Sequence, residues 1–296
     1  MLCGLAAALG LLAAGCGSSS KPGLILVLVS SEDGEYALYG ISADGGDRHR
    51  LTRGKSRSSG PSHVFYEIEP AWSPDGKLIA FSSSRDGSYH IFTVTPDGKH
   101  TSRLTSTSQD DGHPTWSPDG ERIAFVHGFP GEIQTMNADG TGATNVTGGQ
   151  AELTDPAWSP DRRWIAYARR EPGSPVRELW LVRPDGSDRH PLTSLGAISY
   201  WPTWSPDGKR LAFVSDRGGT SFDLYSIGVT GLGLRSLTSS ASDDLEPAWS
   251  PDGKKIAFST GGSIATIDLG GQKRQVLTDG PNDSMPAWNP SASSEK

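Results

Sequence analysis

The sequence predicts an all-β fold, a six-bladed β-propeller closed by pairing of the C-terminal strand with the N-terminal blade. Three observations carry the prediction. Trp recurs at 72, 116, 158, 204, 249 and 288, each with Pro two residues earlier, a period in the range of solenoid and propeller repeats. A Leu-Thr or Val-Thr pair recurs in phase with it, with Thr at 52, 105, 147, 193, 238 and 278. From Thr to the next Trp the distance is 20 residues once, 11 four times and 10 once. The two ends of the chain are also complementary. The first unit lacks a Pro-x-Trp segment, and the last such segment, Pro286-Ala287-Trp288, has no unit after it.

Without a period, the 37 Gly, 21 Pro and 39 Ser of this 296-residue chain would suggest low complexity. With it, they read as the punctuation of many short strands. Gly and Pro at this density also argue against a helical protein. No apolar run reaches the ~20 residues of a membrane-spanning helix. A net charge of −7 gives no electrostatic basis for binding nucleic acid.

In chain order, residues 1–15 read as a signal peptide. Met1 to Cys16 holds no charged residue, and the apolar run from Leu5 to Gly15 has the length of a signal core. Small residues lead into Cys16, and Gly17-Ser18-Ser19-Ser20 starts a flexible tether over 16–23. This segment resembles a bacterial lipoprotein signal. The resemblance implies lipidation at Cys16 and an exported chain anchored in the cell envelope, in the periplasm or on the outer surface. The other Cys, Cys3, lies in the leader, so no disulfide is expected in the mature fold.

The propeller is expected over 24–290 and a disordered tail over 291–296. The first unit starts at Leu24 to Val27, continues with Tyr36 to Ile41 and ends with Arg48 to Thr52. Every later unit opens with its Pro-x-Trp strand. Ser-Pro-Asp-Gly follows Trp72, Trp116, Trp204 and Trp249 and reads as a turn: Pro presets φ, Asp bonds its own backbone, and Gly accepts positive φ. The second strand, Ile79-Ala80-Phe81 and its counterparts to Ile256-Ala257-Phe258, is apolar on both faces and so should be covered on both. The third strand is Ile91 to Val94 and its counterparts. A Gly turn then leads to a fourth strand ending at Leu-Thr. Sheets that cannot bury both faces alone do so by radial repetition.

The run Pro70-Ala71-Trp72-Ser73-Pro74-Asp75-Gly76-Lys77-Leu78-Ile79-Ala80-Phe81, with Leu104-Thr105 downstream, resembles the PD40 (WD40-like) repeat of TolB-type propellers. The resemblance extends over residues 21–290. It implies the fold and leaves the function open, because one fold hosts many activities. Relatives add an N-terminal α/β domain or a C-terminal hydrolase domain; this sequence reads as the propeller alone. It contains no Gly-x-Ser-x-Gly elbow, no His-Glu-x-x-His and no Gly-rich phosphate loop.

The Thr-to-Trp connections should open on one face of the ring. The residue three before each Trp then approaches the channel mouth: Glu69, His113, Asp155, Trp201, Glu246 and Met285. Asp110, Asp111, Glu152, Asp243, Asp244, Asp279 and Asp283 are close in sequence, which suggests an acidic ring. Such a ring suits a cationic ligand or partner segment, a divalent cation on oxygen ligands, or paired carboxylates for acid–base chemistry; equally, these side chains simply solvate loops. No cofactor is expected. The six aligned Trp are assigned to blade packing, and Trp201, beside Tyr200, to ligand contact. Arg48, Arg50, Arg53, Lys55 and Arg57 outnumber Asp44 and Asp47 across residues 44–57. That stretch suits an anionic lipid or acidic partner, or is a solvated loop. The function expected is a non-enzymatic, monomeric interaction module of the cell envelope that presents its channel mouth to a protein or peptide. The alternatives are a small-molecule or glycan binder and, third, a hydrolase or lyase.

Overall fold

A computed structural model describes residues 26–31, 35–42, 47–53, 66–128, 130–219, 221–280 and 282–291. The leader, Cys16, the tether, Lys55, Arg57 and residues 292–296 lie outside the described residues. Six four-stranded antiparallel sheets form the blades. Blade 1 contains Leu26–Ser30, Ala37–Ile41 and His49–Arg50. Its innermost strand comes from the other end of the chain: Ser284–Trp288 pairs with the first strand, with Leu26 opposite Trp288 and Val27 opposite Ala287. The predicted closure is therefore present. Arg48 reinforces it with two hydrogen bonds to the Asp283 carboxylate, both 2.7 Å.

Blade 2 runs Glu67–Trp72, Ile79–Asp86, Ser88–Val94, Thr101–Arg103. Blades 3 to 6 repeat the order from innermost strands Asp111–Trp116, Glu152–Trp158, Ser199–Trp204 and Asp244–Trp249. The core sits between blades rather than within them. Each of six buried clusters draws on two neighbours, as where Val27, Val29 and Leu38 of blade 1 meet Trp72, Ile79 and Phe81 of blade 2. The small residue of the second strand has a reason here: Ala80, fully buried, lies against Trp116 of the next blade.

The repeated Trp also link the seams by hydrogen bonds. Trp72 Nε1 donates to the Ala287 carbonyl at 3.1 Å, Trp116 to Ala71, Trp204 to Ala157, Trp249 to Thr203 and Trp288 to Ala248. In each case the acceptor is the residue before the preceding blade's Trp. At the seam of blades 3 and 4, Trp158 Nε1 is buried with no such partner among the described residues.

The fourth strands differ from expectation. They are two or three residues long and stop before Leu-Thr, as at Thr101–Arg103. The Thr side chain takes over the next ladder position. Thr105 Oγ1 accepts the Ile91 N–H at 3.0 Å, and the same bond joins Thr52 to Leu38, Thr147 to Ile133, Thr193 to Leu179, Thr238 to Leu224 and Thr278 to Ile264. A side-chain oxygen can satisfy a strand donor as a backbone carbonyl does. The Ser-Pro-Asp-Gly turns form as predicted. Ser73 Oγ donates to Asp75 at 2.7 Å, the Gly76 N–H donates to the Ser73 carbonyl, and Gly76 has φ 68°.

Candidate functional site

Each innermost strand is interrupted at the same place. In blade 2, Ile68 pairs with Ser82 and Ala71 with Ala80, so Glu69 and Pro70 together face one residue of the neighbouring strand. Equivalent bulges occur in blades 3 to 6. The bulged residue is left-handed in all six blades: Glu69, His113, Asp155, Trp201, Glu246 and Met285 have φ of 60°, 54°, 57°, 49°, 56° and 51°. Bulges re-aim side chains, and here they aim all six at the channel axis. These residues and the Pro that follows each of them line a single cavity of about 150 Å³. The six residues expected from the spacing to approach the channel mouth therefore lie together on this cavity.

The six do not form a uniform acidic ring. Across blades 2 to 4 they build one charged network. His113 lies between two carboxylates, with Nε2 3.1 Å from Glu69 Oε1 and Nδ1 2.9 Å from Asp155 Oδ1. Burial disfavours its charged form, but Glu69 and Asp155 outweigh this and raise its pKa to about 9. Burial likewise opposes charge on Asp155, and His113 still holds that carboxyl below its usual range. Glu69 Oε2 accepts from Ser82 Oγ and from the His113 N–H, both at 2.6 Å. Asp155 Oδ2 accepts from Thr154 Oγ1 at 2.7 Å, and buried Arg177 donates to Thr154 Oγ1 at 2.9 Å and also to Glu152.

The other half of the mouth is apolar or only weakly acidic. Met285 Sδ accepts the Glu69 N–H at 3.3 Å, and Glu246 accepts from Ser259 Oγ and from the Met285 N–H at 2.7 Å. Burial first, then the charges of Asp155 and Glu69, push the Glu246 carboxyl up. Trp201 packs with Phe222 and Leu245 on the core between blades 5 and 6, and its ring centroid is 5.4 Å from that of Tyr200. It is half-buried rather than a free stacking platform.

The nearby carboxylates do not line the cavity. Asp111, Asp244 and Asp283 are buried, and Glu152 is half-buried. Each faces away from the channel toward a basic partner: Asp111 toward His127 Nδ1 at 2.6 Å, Glu152 toward Arg177, Asp244 toward Arg274 and Asp283 toward Arg48. Asp110 and Asp243 cap the N–H groups of Tyr89 and Phe222. Asp111, Glu152, Asp244 and Asp283 are thus already paired with basic side chains. The basic stretch is partly neutralised in the same way, by Arg48 with Asp283 and by Arg50 with Glu35. Sequence reasoning missed Arg177, and the Arg-over-Tyr200 contact at 4.7 Å that holds it has no local sequence signal.

Among the described residues no group of three or more His, Cys, Asp or Glu side chains is arranged to hold a metal ion. Both nitrogens of His113 face carboxylates, so neither offers a lone pair to a metal or to a substrate proton.

Comparisons with known proteins agree with this architecture. The chain is 30% identical over 205 residues to a TolB homologue of Chlorobium luteolum, covering 69% of this chain and 34% of that one. It is 38% identical over 68 residues to the Tol-Pal system protein TolB of Syntrophus aciditrophicus, covering 23% and 13%. The chain therefore spans about a third of the first relative's length and less of the second's. The crystal structure of TolB from Acinetobacter baumannii superposes with a TM-score of 0.74 at 22% identity, covering 90% of this chain and 66% of that one; at that identity the likeness concerns the fold. The family model for the TolB β-propeller domain matches residues 64–177 and 156–294. With that match added to six closed blades, the chain belongs to the PD40 family of TolB β-propeller domains.

Proposed function

We propose that this propeller is a non-enzymatic interaction module of the bacterial cell envelope, exported by the leader and anchored at Cys16. It takes one side chain or chain end of a protein partner into the channel mouth. The observation that carries this is the ring of left-handed residues. Positive φ is costly for anything but Gly, Asn or Asp, and strain of this kind clusters at functional sites. Gly would remove it, yet the six positions hold Glu, His, Asp, Trp, Glu and Met. The side chains are therefore retained for what they present. A cavity of about 150 Å³ is small beside the ~300–1,000 Å³ of ordinary small-molecule pockets, which favours a single inserted side chain over a glycan. With both nitrogens occupied, His113 offers no free base, which takes away the imidazole that hydrolase or lyase chemistry at this mouth would use. The Tol-Pal system named for one relative gives the kind of partner to look for first.

The test is photo-crosslinking in cells from positions 201 and 246, with Lys77 at the opposite end of the channel as control, alongside Trp201→Gly. Gly suits the left-handed backbone, so the variant should still melt cooperatively while losing partner capture. The same captured proteins at all three positions, or unchanged capture by Trp201→Gly, would refute the proposal.

A further inference from the structure

The end of the ring away from the mouth carries a second, unrelated surface. Innermost strands begin at the mouth and end at Trp, so the Ser-Pro-Asp-Gly turns and the turns between third and fourth strands share the opposite end. In blades 5 and 6 these turns form one continuous corner. Arg210 Nη2 donates to the Gly233 carbonyl at 2.8 Å, joining the two turns of blade 5. Across the seam the turns approach closely: a Cβ at Gly253 would meet Pro206 at 3.5 Å, and one at Gly271 would meet the Leu237 carbonyl at 2.7 Å.

This corner and the adjoining flank expose large aliphatic side chains. Leu232 is 74% exposed, Val276 58% and Leu269 41%; among the described residues these are the exposed large aliphatics, and all belong to blades 5 and 6. Lys209, Arg235, Lys254, Lys255 and Lys273 are exposed in the same turns and strand ends. The carboxylates there, Asp207, Asp252 and Asp268, accept the N–H groups of Lys209, Lys254 and Gln272 in their own turns. Lys209, Arg235, Lys255 and Lys273 make no ion pair among the described residues. The same turns of blade 3 reverse the balance, with Asp119, Glu121 and Asp139 against Arg122. A positive corner on a chain of net charge −7 is a local feature rather than a consequence of composition. A groove of about 440 Å³ lined by Leu237, Ile267, Gly271 and Arg274 opens beside it, large enough for a phosphate headgroup.

We propose that this corner docks on an anionic lipid surface. Exposed aliphatic tips enter the interface while flanking Lys and Arg side chains keep their charges at headgroup level. Attraction to anionic lipid acts within a Debye length, which suits a cationic cluster at one end of an otherwise acidic protein. Docked this way, the ring holds its channel mouth away from the membrane, open to a partner. The inference goes beyond the mouth reading and depends neither on it nor on lipidation of Cys16.

The test uses the full chain and two kinds of vesicle, phosphatidylcholine alone and phosphatidylcholine mixed with phosphatidylglycerol. The leader carries no charge from Met1 to Cys16, so it contributes equally to both, and the charge-reversal variants separate the corner from the basic stretch over residues 44–57. Wild type should prefer the anionic vesicles, and high salt should remove the preference. Lys254→Glu/Lys273→Glu should lower the preference by about tenfold or more, each basic side chain being worth ~1 kcal/mol near such a surface. Leu232→Ser/Val276→Ser should weaken binding to the anionic vesicles severalfold, while Lys77→Glu/Lys99→Glu in blade 2 should change nothing. All these positions are exposed, and unchanged melting checks the fold. A wild-type ratio near one overturns the proposal. So does an anionic preference that survives Lys254→Glu/Lys273→Glu or is unaffected by Leu232→Ser/Val276→Ser; the latter would mark a purely electrostatic surface for an acidic protein.

Discussion

His113 should make the stability of the ring depend on pH in a direction opposite to that of most buried histidines. Its folded pKa of about 9 lies above the ~6.5 of an unfolded His. A group raised in this way stabilises the fold fully below its unfolded pKa, and the contribution is lost as pH climbs through the folded value. The shift corresponds to a few kcal/mol (~2–3) at pH 7 and almost nothing by about pH 9.5. The imidazole is 29% exposed, so solvent screening brings the expected effect to about 1–2 kcal/mol. The assay is urea unfolding of wild type and His113→Gln across this range. Groups that titrate in both proteins cancel in the difference. The wild-type advantage should be largest at neutral pH and shrink by about 1–2 kcal/mol toward pH 9.5, which is several degrees in melting temperature for a domain of this size. A gap that stays constant with pH, or widens, would show that His113 is not the imidazolium clamped by Glu69 and Asp155, and the charged half of the mouth would have to be redrawn.

Three further outcomes follow from the seams and ladders. Trp72→Phe removes the hydrogen bond to Ala287 and should cost about 0.5–1.5 kcal/mol beyond the change in packing, whereas Trp158→Phe removes an N–H with no partner and should cost clearly less; chemical denaturation of the pair reads the difference. Thr105→Val keeps the shape but leaves the Ile91 N–H without its acceptor, and unfolding measurements should show a loss of about 1–3 kcal/mol. Deleting residues 281–296 takes away the strand Ser284–Trp288 and the Asp283 partner of Arg48, exposing a sheet edge; the melting transition should broaden and fall sharply, and an unchanged transition would contradict closure at blade 1.

The period, the blade count, the closing strand and the six mouth residues were legible because each repeats, and a repeat converts sequence spacing into place. What was not legible lies in the orientation of individual side chains. Glu67 and Glu69 are two residues apart on one strand and by simple alternation should share a face. Yet Glu67 pairs with Arg85 away from the channel, while Glu69 lines the cavity. The left-handed residue and the Pro after it break the alternation, and φ is not written in composition or spacing. Asp111, Glu152, Asp244 and Asp283 join no acidic ring for a related reason: residue type does not show which way a strand edge turns, and that sets their basic partners. Leu-Thr spacing marks a strand end, whereas the geometry repeated in all six blades is that of a side chain substituting for backbone.

The seam between blades 3 and 4 is where these features meet. Five seams carry an indole hydrogen bond, and this one does not. It is instead crossed by ion pairs between blades 3 and 4, His113 with Asp155 at the mouth and Arg162 with Asp119 in the turns at the opposite end. An exposed end of a seam held by an ion pair responds to charge, whereas a buried indole bond does not. Local opening draws on the least stable contacts first, so the ring should open here before it opens elsewhere. Amide exchange in Glu152–Trp158 should therefore be faster than in the equivalent strand Ser199–Trp204, and the difference should grow in His113→Gln. Equal protection in the two strands would refute this order of opening. Unequal protection that is indifferent to His113 would assign it to the missing indole bond alone.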